Sequence, residues 1–337
     1  MSQNVIPEQM TAVVLDSYTG VDGLRVEKRA VPKPGPGEVL VKIAASPINP
    51  SDLAFLVGRY GFMKPTPVVP GFEGSGIVVA AGEGKMGGYL LGRRVACRSN
   101  DQGDGIWAEY FVTPAKDAQP LSSEVSLAQG AMSGANPLTA TAFVEIAKKA
   151  GHKTILLPAA AGALGQMVNH LAIEEGIRVI NIVRREDQAK VLKGLGADIV
   201  INSSDPDFQQ RLKEACHQYD ARLAFDPVAG ELTGQLLEAM PPGSKVTVFG
   251  CLSEKHPQIT VDQLAFQKKS VDGFWLGPWL EDKNMIQMLM IWRKAQKLLL
   301  NSEIRKEYPF QEVIQAVQEY ENQMSGGKIL LVPPRSD

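Results

Sequence analysis

The sequence predicts an α/β protein that combines a partly open antiparallel β-barrel with a doubly wound parallel sheet. Two patterns support this fold class: short strand patterns cut by glycine and proline fill the first part of the chain, and strands alternate with helices from about Leu138. With 337 residues, the chain is long enough for two domains that each bury a core. We predict a first domain over residues 1–130, a second over 131–277, and a return to the first over 278–337.

Three β-strands are predicted near the N-terminus, in the stretches MTAVVL, LRVEKRAV and EVLVKIAASPI. In the third stretch, β-branched side chains recur at every second position, at Val39, Val41 and Ile43, which predicts a strand with one face in a core. Residues 71–92 are rich in glycine, so the strands there are expected to turn tightly or to approach each other closely. Together these features predict the antiparallel barrel.

The second domain is predicted from a regular alternation of strand and helix patterns. The predicted elements, a helix followed by alternating strands and helices, cover residues 139–151, 153–159, 162–176, 178–183, 186–197 and 198–204. Further units follow in ARLAFDPV, ELTGQLLEAM, SKVTVFG and SVDGFWLG. Because parallel strands need crossover connections, this order predicts a doubly wound parallel sheet.

The C-terminal part predicts one long helix and a closing strand. The apolar residues on one face of the helix predicted over residues 281–300 are Met285, Leu289, Trp292 and Leu299. The stretch GGKILLVP predicts the strand, which is expected to return to the first domain.

Composition and charge restrict the class of protein. An apolar fraction of 44% with 21% charged residues is typical of a soluble globular protein, and a net charge of −2 gives no support for a nucleic-acid or anionic-membrane partner. The three cysteines lie far apart in the sequence, which argues against a disulfide scaffold. No apolar run reaches the roughly 18 residues of a membrane span, and the first residues match no targeting pattern, so we expect a cytoplasmic protein.

A glycine-containing turn between a predicted strand and a predicted helix, in PAAAGALGQ, is the first candidate binding site. Gly162 would let the backbone approach a pyrophosphate, Gly165 would allow tight packing of the helix on the sheet, and the helix N-terminus would offer N–H groups to the anion. Ala160 stands where the first glycine of this motif is usual, so an ordinary tight turn remains the alternative.

The residue that follows the next predicted strand indicates which dinucleotide binds. In NAD-binding folds, an acidic residue about 20 positions after the glycine turn accepts hydrogen bonds from the ribose hydroxyls. At this position the chain has Arg184, followed by Arg185. A guanidinium pairs with a 2′-phosphate through charge-assisted hydrogen bonds, so the predicted cofactor is NADPH. The alternative is a solvated charge cluster, RRED, at the start of the next helix.

Characteristic stretches occur along essentially the whole chain, namely PGEVLVKIAASPINPSD, PGFEGSGIVVAAGEG, GIWAEYFV, GANPLTATAF, the glycine turn, GFWLGPW and SGGKILLVP. In order and spacing, they resemble the medium-chain dehydrogenase/reductase superfamily, in its zinc-less branch of quinone oxidoreductases and 2-enoyl thioester reductases. The resemblance implies a GroES-like barrel as the catalytic domain and a Rossmann domain that binds NADPH.

The zinc-using relatives carry a Cys-His pair where this chain has Asn and Pro at residues 49–50, and Gly-His-Glu where it has Gly, Phe and Glu at residues 71–73. Their next cysteine ligand would fall near Ala135. Because a catalytic zinc needs three protein ligands, no metal site is expected. His170 and Glu174, four residues apart on a predicted helix, are expected to form a surface pair rather than a metal site.

Without a metal, the resemblance implies a reaction that develops less charge or that uses a proton donor. Hydride transfer to the β-carbon of a C=C bond conjugated to a carbonyl gives an enolate, which a phenol can protonate. Tyr60, in LVGRYGF, matches the catalytic tyrosine of mitochondrial-type enoyl thioester reductases and is the predicted catalytic residue. The alternative is a loop tyrosine packed on the surface of its domain.

The resemblance also implies further contacts with the cofactor. Asn136 and Thr139 would lie near the nicotinamide ribose, Lys328 would reach the cofactor from the returning C-terminal segment, and Asn49 would hydrogen-bond cofactor or substrate. The predicted pyrophosphate turn, ribose-phosphate site and nicotinamide wall comprise Gly162, Ala163, Leu164, Gly165, Arg184, Arg185, Phe249, Gly250, Cys251, Leu252, Phe274, Trp275 and Leu276. For the two phenylalanines a core role is the alternative, and for Lys328 a surface role.

The predicted function is zinc-independent, NADPH-dependent reduction of an activated alkene, with an enoyl thioester, an enal or an enone as substrate. One alternative is an NADPH:quinone oxidoreductase on the same scaffold, and another is a non-catalytic NADPH-binding or structural protein. The predicted partners are a small-molecule substrate and a second copy of the chain, since the edge strand near SVDGFWL commonly pairs across a two-fold axis in this superfamily. No nucleic-acid or membrane partner is expected.

Overall fold

The structure, a computed structural model, describes residues 6–99, 101–300 and 302–334. The chain divides into two compact units, a first made of Met1–Pro137 with Arg293–Asp337 and a second made of Leu138–Trp292. The predicted boundaries, after residues 130 and 277, both precede these divisions. Residues 1–5, on which the expected absence of a targeting signal partly depends, lie outside the described residues.

The first unit begins with β-strands joined by short turns and helices. The strands are β1 (Gln9–Leu15), β2 (Leu24–Ala30), β3 (Glu38–Pro47), β4 (Glu73–Ala81), β5 (Arg94–Arg98), β6 (Tyr110–Pro114) and β7 (Gln119–Pro120). The helices are α1 (Pro50–Leu56), α2 (Lys85–Leu90) and α3 (Leu127–Gly130). β1 pairs with β2, and β3 pairs with both β4 and β6, all antiparallel. The predicted antiparallel arrangement of this part is therefore confirmed.

Strand β3 separates two apolar cores because successive side chains point to opposite faces. Val39, Val41 and Ile43 are at most 2% exposed and pack in one core, and Leu40 packs in another with Phe55 of α1. The predicted period of two in this stretch is confirmed. The prediction of a single buried face was too narrow, since both faces of the strand are largely covered.

The second unit is a parallel sheet flanked by helices. Its strands are β8 (Thr154–Pro158), β9 (Arg178–Val183), β10 (Ile199–Asn202), β11 (Leu223–Asp226), β12 (Lys245–Val248) and β13 (Ser270–Gly273). The helices of this part are α4 (Asn136–Lys149), α5 (Ala163–Glu174), α6 (Glu186–Gly194), α7 (Phe208–Gln218), α8 (Glu231–Ala239) and α9 (Leu276–Glu281). The strand order is β10-β9-β8-β11-β12-β13 with parallel pairing throughout. The predicted doubly wound parallel sheet is therefore confirmed.

The chain then returns to the first unit through α10 (Met285–Leu299), β14 (Ile304–Pro309), α11 (Val313–Asn322) and β15 (Lys328–Val332). β15 pairs antiparallel with β3, so the predicted return of the C-terminal strand is confirmed. The predicted apolar face of α10 is correct for Trp292 and Leu299, which are buried, but wrong for Met285 and Leu289, which are 85% and 52% exposed. Apolar periodicity shows which side of a helix packs, not how far along the helix the packing extends.

A cluster of aromatic rings fastens α4 to the sheet of the second unit. Phe143 of α4 stacks on Phe225 of β11, with 4.0 Å between ring centroids. Phe249 and Phe274 make T-shaped contacts with the Phe143 ring, with 4.7 and 5.0 Å between ring centroids. Aromatic pairs at these separations add to the free energy gained by burial. The ends of β12 and β13 are thus held by one fully buried side chain.

Within the described ranges, no helix has both the length and the apolar character needed to cross a bilayer.

Replacing Phe143 by Ala is expected to lower the free energy of unfolding by about 3–5 kcal/mol, because it removes a fully buried ring and leaves a cavity. Urea unfolding followed by circular dichroism measures the change. The matched control is Phe266→Ala, since Phe266 is 80% exposed and its loss should change stability by about 0.5 kcal/mol at most. Equal effects of the two substitutions would contradict the role of the aromatic cluster.

Candidate active site

Four side chains from distant parts of the first unit form a buried polar cluster, namely Asn49, Asp52, Glu73 and Lys328. Each is at most 5% exposed. Asn49 and Asp52 lie at the start of α1, where Pro50 occupies the first turn and Asn49 is the N-cap. Glu73 is the first residue of β4, and Lys328 is the first residue of β15. The antiparallel pairing of β15 with β3 brings Lys328 to this place.

Hydrogen bonds join the members of the cluster into one network. Asn49 Nδ2 donates to Glu73 Oε1 at 2.7 Å, and Lys328 Nζ donates to Asn49 Oδ1. Asp52 Oδ2 accepts the backbone N–H of Asn49 at 2.8 Å, and its Oδ1 accepts the N–H of Phe72 at 3.2 Å. The Asn49 side-chain amide therefore bridges the buried Lys328 ammonium and the buried Glu73 carboxylate through hydrogen bonds.

The second oxygen of Glu73 holds the segment that leads into α4. Glu73 Oε2 accepts the backbone N–H of Gly134 at 2.6 Å and that of Ala135 at 3.0 Å. The next residue, Asn136, is half-buried and begins α4. Glu73 thus positions the predicted nicotinamide contact Asn136 through the backbone before it. Sequence reasoning assigned no role to Glu73 or Asp52, although an acidic residue in the apolar context GFEG was the signal available.

Burial dominates the ionisation of the cluster. It raises the pKa of Asp52 to about 7, against the opposing effect of the Asn49 N–H. Burial likewise raises the pKa of Glu73 and lowers that of Lys328, although the attraction between these two charges opposes both shifts. With two carboxyl groups and one ammonium, the cluster is neutral when it holds one additional proton and carries one negative charge when that proton leaves.

Tyr60, the predicted catalytic residue, is half-buried in the loop between α1 and β4. Its ring centroid lies 4.5 Å from that of Phe72 and 5.0 Å from that of Phe62. Burial lowers the pKa of Arg98, whereas the charges of Asp117, Glu73 and Tyr60 raise it. The Tyr60 phenol and the Glu73 carboxyl group are therefore both within electrostatic range of the Arg98 guanidinium, a residue that sequence reasoning missed.

In the second unit, the glycine turn connects β8 to α5 as predicted. A Cβ on Gly165 would lie 2.2 Å from the carbonyl oxygen of Ala160, so only glycine fits at this close approach. At Gly162, the N-cap of α5, the nearest atom to an added Cβ would be 3.4 Å away. Ala163 and Leu164 are half-buried in the first turn of the helix, whose N–H groups have no intrahelical acceptor. The turn can therefore accept an anion.

The two arginines after β9 have different surroundings. Arg185 Nε lies 3.1 Å from Asp187 Oδ1, in an exposed ion pair. Arg184 is exposed, and none of the ion pairs between described residues includes it. Its backbone is held by Gln188, whose Oε1 accepts the Arg184 N–H at 3.0 Å, and by Ser204, whose hydroxyl donates to the Arg184 carbonyl at 2.9 Å. Arg184 is the better placed of the two to meet a phosphate.

The predicted nicotinamide wall is braced by a buried carboxylate at the end of β11. Asp226 accepts the N–H groups of Val228 and Ala229 and the hydroxyl of Thr233, at 2.7–3.1 Å. The loop held in this way lies against Gly250, where an added Cβ would be 2.8 Å from the Pro227 carbonyl oxygen. Sequence reasoning missed Asp226.

The remaining predicted wall residues differ in exposure. Half-buried positions are Phe249, Gly250, Phe274 and Leu276; exposed positions are Cys251, Leu252 and Trp275. Phe249 and Phe274 both pack on the buried ring of Phe143, so the alternative prediction of a core role holds in part for these two residues. Thr139, in the first turn of α4, is 9% exposed.

His170 Nε2 lies 3.4 Å from Glu174 Oε1 on the exposed side of α5. Across the described ranges, no group of three or more His, Cys, Asp or Glu side chains is arranged to hold a metal ion.

Comparison with known proteins assigns the chain to a protein superfamily. Residues 35–123 match the family model of the alcohol dehydrogenase GroES-like domain, and residues 163–290 match the model described as zinc-binding dehydrogenase. The mitochondrial enoyl-[acyl-carrier-protein] reductase of Bos taurus is 31% identical over 260 residues, which are 74% of this chain and 67% of the bovine protein. The chain belongs to the medium-chain dehydrogenase/reductase superfamily.

Solved structures agree with this assignment. A Mesorhizobium loti protein provisionally assigned as an NADPH:quinone reductase is 34% identical, with a TM-score of 0.90 over 98% of this chain and 100% of that one. A Bacillus thuringiensis protein with the same provisional assignment is 25% identical, with a TM-score of 0.86 over 97% and 99% of the two chains. The chain is an oxidoreductase of the zinc-less branch of this superfamily, whose oxidoreductases use nicotinamide dinucleotides.

Asp52→Asn is expected to change how stability depends on pH. A pKa raised from 3.8 to about 7 means that the folded chain binds this proton more tightly than the unfolded chain. The resulting stabilisation is fully present below the unfolded pKa and is lost as the pH rises through about 7. Across this window, wild type should lose on the order of 4 kcal/mol of unfolding free energy relative to the variant.

Urea unfolding at a series of pH values measures this difference. The control is Ser46→Ala, which removes a buried hydroxyl that donates to the Glu73 carbonyl at 2.6 Å but adds or removes no titrating group. Its effect on stability should be the same at every pH. A difference between wild type and Asp52→Asn that stays constant with pH would show that the cluster does not hold the proton.

Proposed function

We propose that the protein is a zinc-independent, NADPH-dependent reductase of a C=C bond conjugated to a carbonyl, as in an enoyl thioester, an enal or an enone. The observation that carries the cofactor assignment is the exposed guanidinium of Arg184, without an ion pair among the described residues, at the end of the strand beside the glycine turn. An arginine there favours a 2′-phosphate, whereas the carboxylate typical of NAD-binding folds would repel it.

The residues present fit a dinucleotide. Gly162 and the first N–H groups of α5 would bind the pyrophosphate, and Arg184 would bind the 2′-phosphate. The residues proposed along the nicotinamide and its ribose are Asn49, Asn136, Thr139, Phe249, Gly250, Cys251, Leu252, Phe274, Trp275, Leu276 and Lys328. When bound, NADPH supplies the hydride that reduces the β-carbon of the substrate.

The proton is proposed to come from Tyr60. As the β-carbon is reduced, negative charge develops on the carbonyl oxygen and the α-carbon becomes basic. The Tyr60 hydroxyl would donate its proton to the α-carbon, and the resulting phenolate would recover a proton from solvent. Arg98 supports this role, because a guanidinium within electrostatic range favours the phenolate. Asn136, positioned by Glu73, would orient the nicotinamide end.

Zinc independence is proposed from the chemistry of the donor set. Where zinc-using relatives carry ligands, Asn49 and Glu73 hydrogen-bond each other, and the Lys328 ammonium donates to Asn49. A fixed cation beside these donors would repel a second one. The family model whose description names zinc matches residues 163–290, outside the segments that carry these side chains.

A second candidate is NADPH:quinone reduction, which the similarity to the Mesorhizobium loti protein favours. Quinone reduction places the protons on oxygen atoms and needs no acid at carbon. The two functions therefore differ in their dependence on Tyr60.

The dissociation constants of NADPH and NADH, measured side by side by fluorescence titration, should show tighter binding of NADPH. Arg184→Ala should remove about 1.5–3 kcal/mol of that preference, because a hydrogen bond between charged groups is lost. Arg222→Ala, immediately before β11, is the matched control and should leave both constants unchanged. Equal binding of the two nucleotides by wild type would contradict the assignment of NADPH.

Tyr60→Phe should lower the rate constant for reduction of an enoyl thioester by roughly 10²–10⁴-fold, the contribution of a positioned acid. NADPH affinity should stay nearly unchanged, since the ring and its packing remain. Stopped-flow oxidation of NADPH measures the step, and Tyr89→Phe, at a residue 59% exposed, serves as the control. An unchanged rate with enoyl substrates would exclude Tyr60 as the acid; turnover of quinones alone would favour the second candidate.

A further inference from the structure

Two asparagines are buried between α5 and β9 in the second unit. Asn181 of β9 is fully buried and Asn169 of α5 is 5% exposed. The strand neighbours of Asn181, Ile180 and Ile182, point to the other face of the sheet and pack in an apolar core with α7 and α8. Buried positions between a helix and a sheet usually hold apolar side chains. A pair of buried amides at this position is therefore unusual and indicates a specific structural role.

The amides hydrogen-bond each other in both directions. Asn169 Nδ2 donates to Asn181 Oδ1 at 2.6 Å, and Asn181 Nδ2 donates to Asn169 Oδ1 at 3.0 Å. Asn169 Nδ2 also donates to the Gly165 carbonyl at 2.9 Å. Asn181 Nδ2 lies 3.2 Å from the carbonyl oxygens of Val179 and Ile199. One hydrogen-bonded network thus runs from the glycine turn through α5 to β9 and β10.

The network joins the two elements that carry the anion sites of the proposed function, on which this inference rests. Gly165 closes the turn that would bind the pyrophosphate, and Arg184 follows the strand that carries Asn181. In NADPH, one ribose joins the pyrophosphate to the 2′-phosphate, so the two sites must keep one spacing. NADH has no 2′-phosphate, and its binding does not depend on that spacing.

We propose that the Asn169–Asn181 pair is a positioning element that sets the preference for NADPH over NADH. A reciprocal amide pair is satisfied in one relative position of helix and strand, because hydrogen bonds weaken steeply with distance and angle. An apolar contact tolerates small sliding. A shift of α5 along β9 would leave the pyrophosphate site intact but move it relative to Arg184. The pair therefore acts on the 2′-phosphate contact without touching the cofactor.

Stability alone does not require the pair. Replacing both partners of a buried hydrogen bond by apolar groups of similar shape is often nearly neutral, whereas replacing one leaves the other unsatisfied. The double variant Asn169→Leu/Asn181→Leu keeps the branched shape and the number of heavy atoms of both side chains, although its methyl groups are bulkier, and it removes the directional hydrogen bonds of the pair. It therefore separates positioning from stability.

The experiment compares the dissociation constants of NADPH and NADH for wild type, the double leucine variant, Arg184→Ala, and the combination of all three substitutions. The double variant should lower the preference for NADPH by about three- to tenfold while the NADH constant changes little, because a displaced contact loses affinity steeply. In the Arg184→Ala background, the leucine substitutions should have no further effect on the preference, since both act through one contact.

Ile180→Val is the matched control, since it changes the same strand on its other face and should leave the preference unchanged. Asn169→Ser, which shortens one partner, tests the same contact if the double variant does not fold. A preference equal to that of wild type, or an equal weakening of both nucleotides, would make the pair merely structural. The effect of Arg184→Ala would still decide the cofactor assignment, and both ideas are wrong if wild type shows no preference.

Discussion

The buried carboxylate of Glu73 is the interaction on which the geometry of the first unit depends. One oxygen accepts the Asn49 amide at the start of α1, and the other accepts the two N–H groups that precede α4. Burying a carboxylate away from water costs several kcal/mol unless nearby charges and hydrogen-bond donors compensate it. The Lys328 ammonium and these donors provide the compensation. Segments far apart in sequence are therefore fixed to one another by a single charge.

Most of the architecture could be predicted because its signals are local. The alternation in β3 and the strand–helix order of the second unit arise from neighbouring side chains, and both are present in the structure. Predictions failed where packing decides the outcome. The first turns of α10 look amphipathic, yet Met285 and Leu289 are exposed. The edge strand expected near SVDGFWL is shorter than that stretch, because β13 ends at Gly273 and a helix begins at Leu276.

The candidate site likewise combines features that the sequence predicts with contacts that only the folded structure shows. The glycine turn and Arg184 could be found from spacing alone, but spacing could not show that Arg185 is engaged with Asp187. The contact between Lys328 and Asn49 joins residues 279 positions apart, so no local pattern predicts it. The buried amides left a fainter trace: Asn181 interrupts the otherwise apolar stretch VINIV, and a polar residue inside such a run indicates a partner in the core.

The return of the chain to its first unit has a consequence for biosynthesis. Strand β15, near the C-terminus, pairs with β3 near the N-terminus and supplies the lysine that compensates Glu73. The second unit is continuous in sequence, so all of its strands leave the ribosome before β15 is made. The barrel is therefore the first part of the chain to leave the ribosome and the last to be completed. A chain whose synthesis stops before β15 would expose the unpaired edge of β3 and an uncompensated Glu73 carboxylate to chaperones.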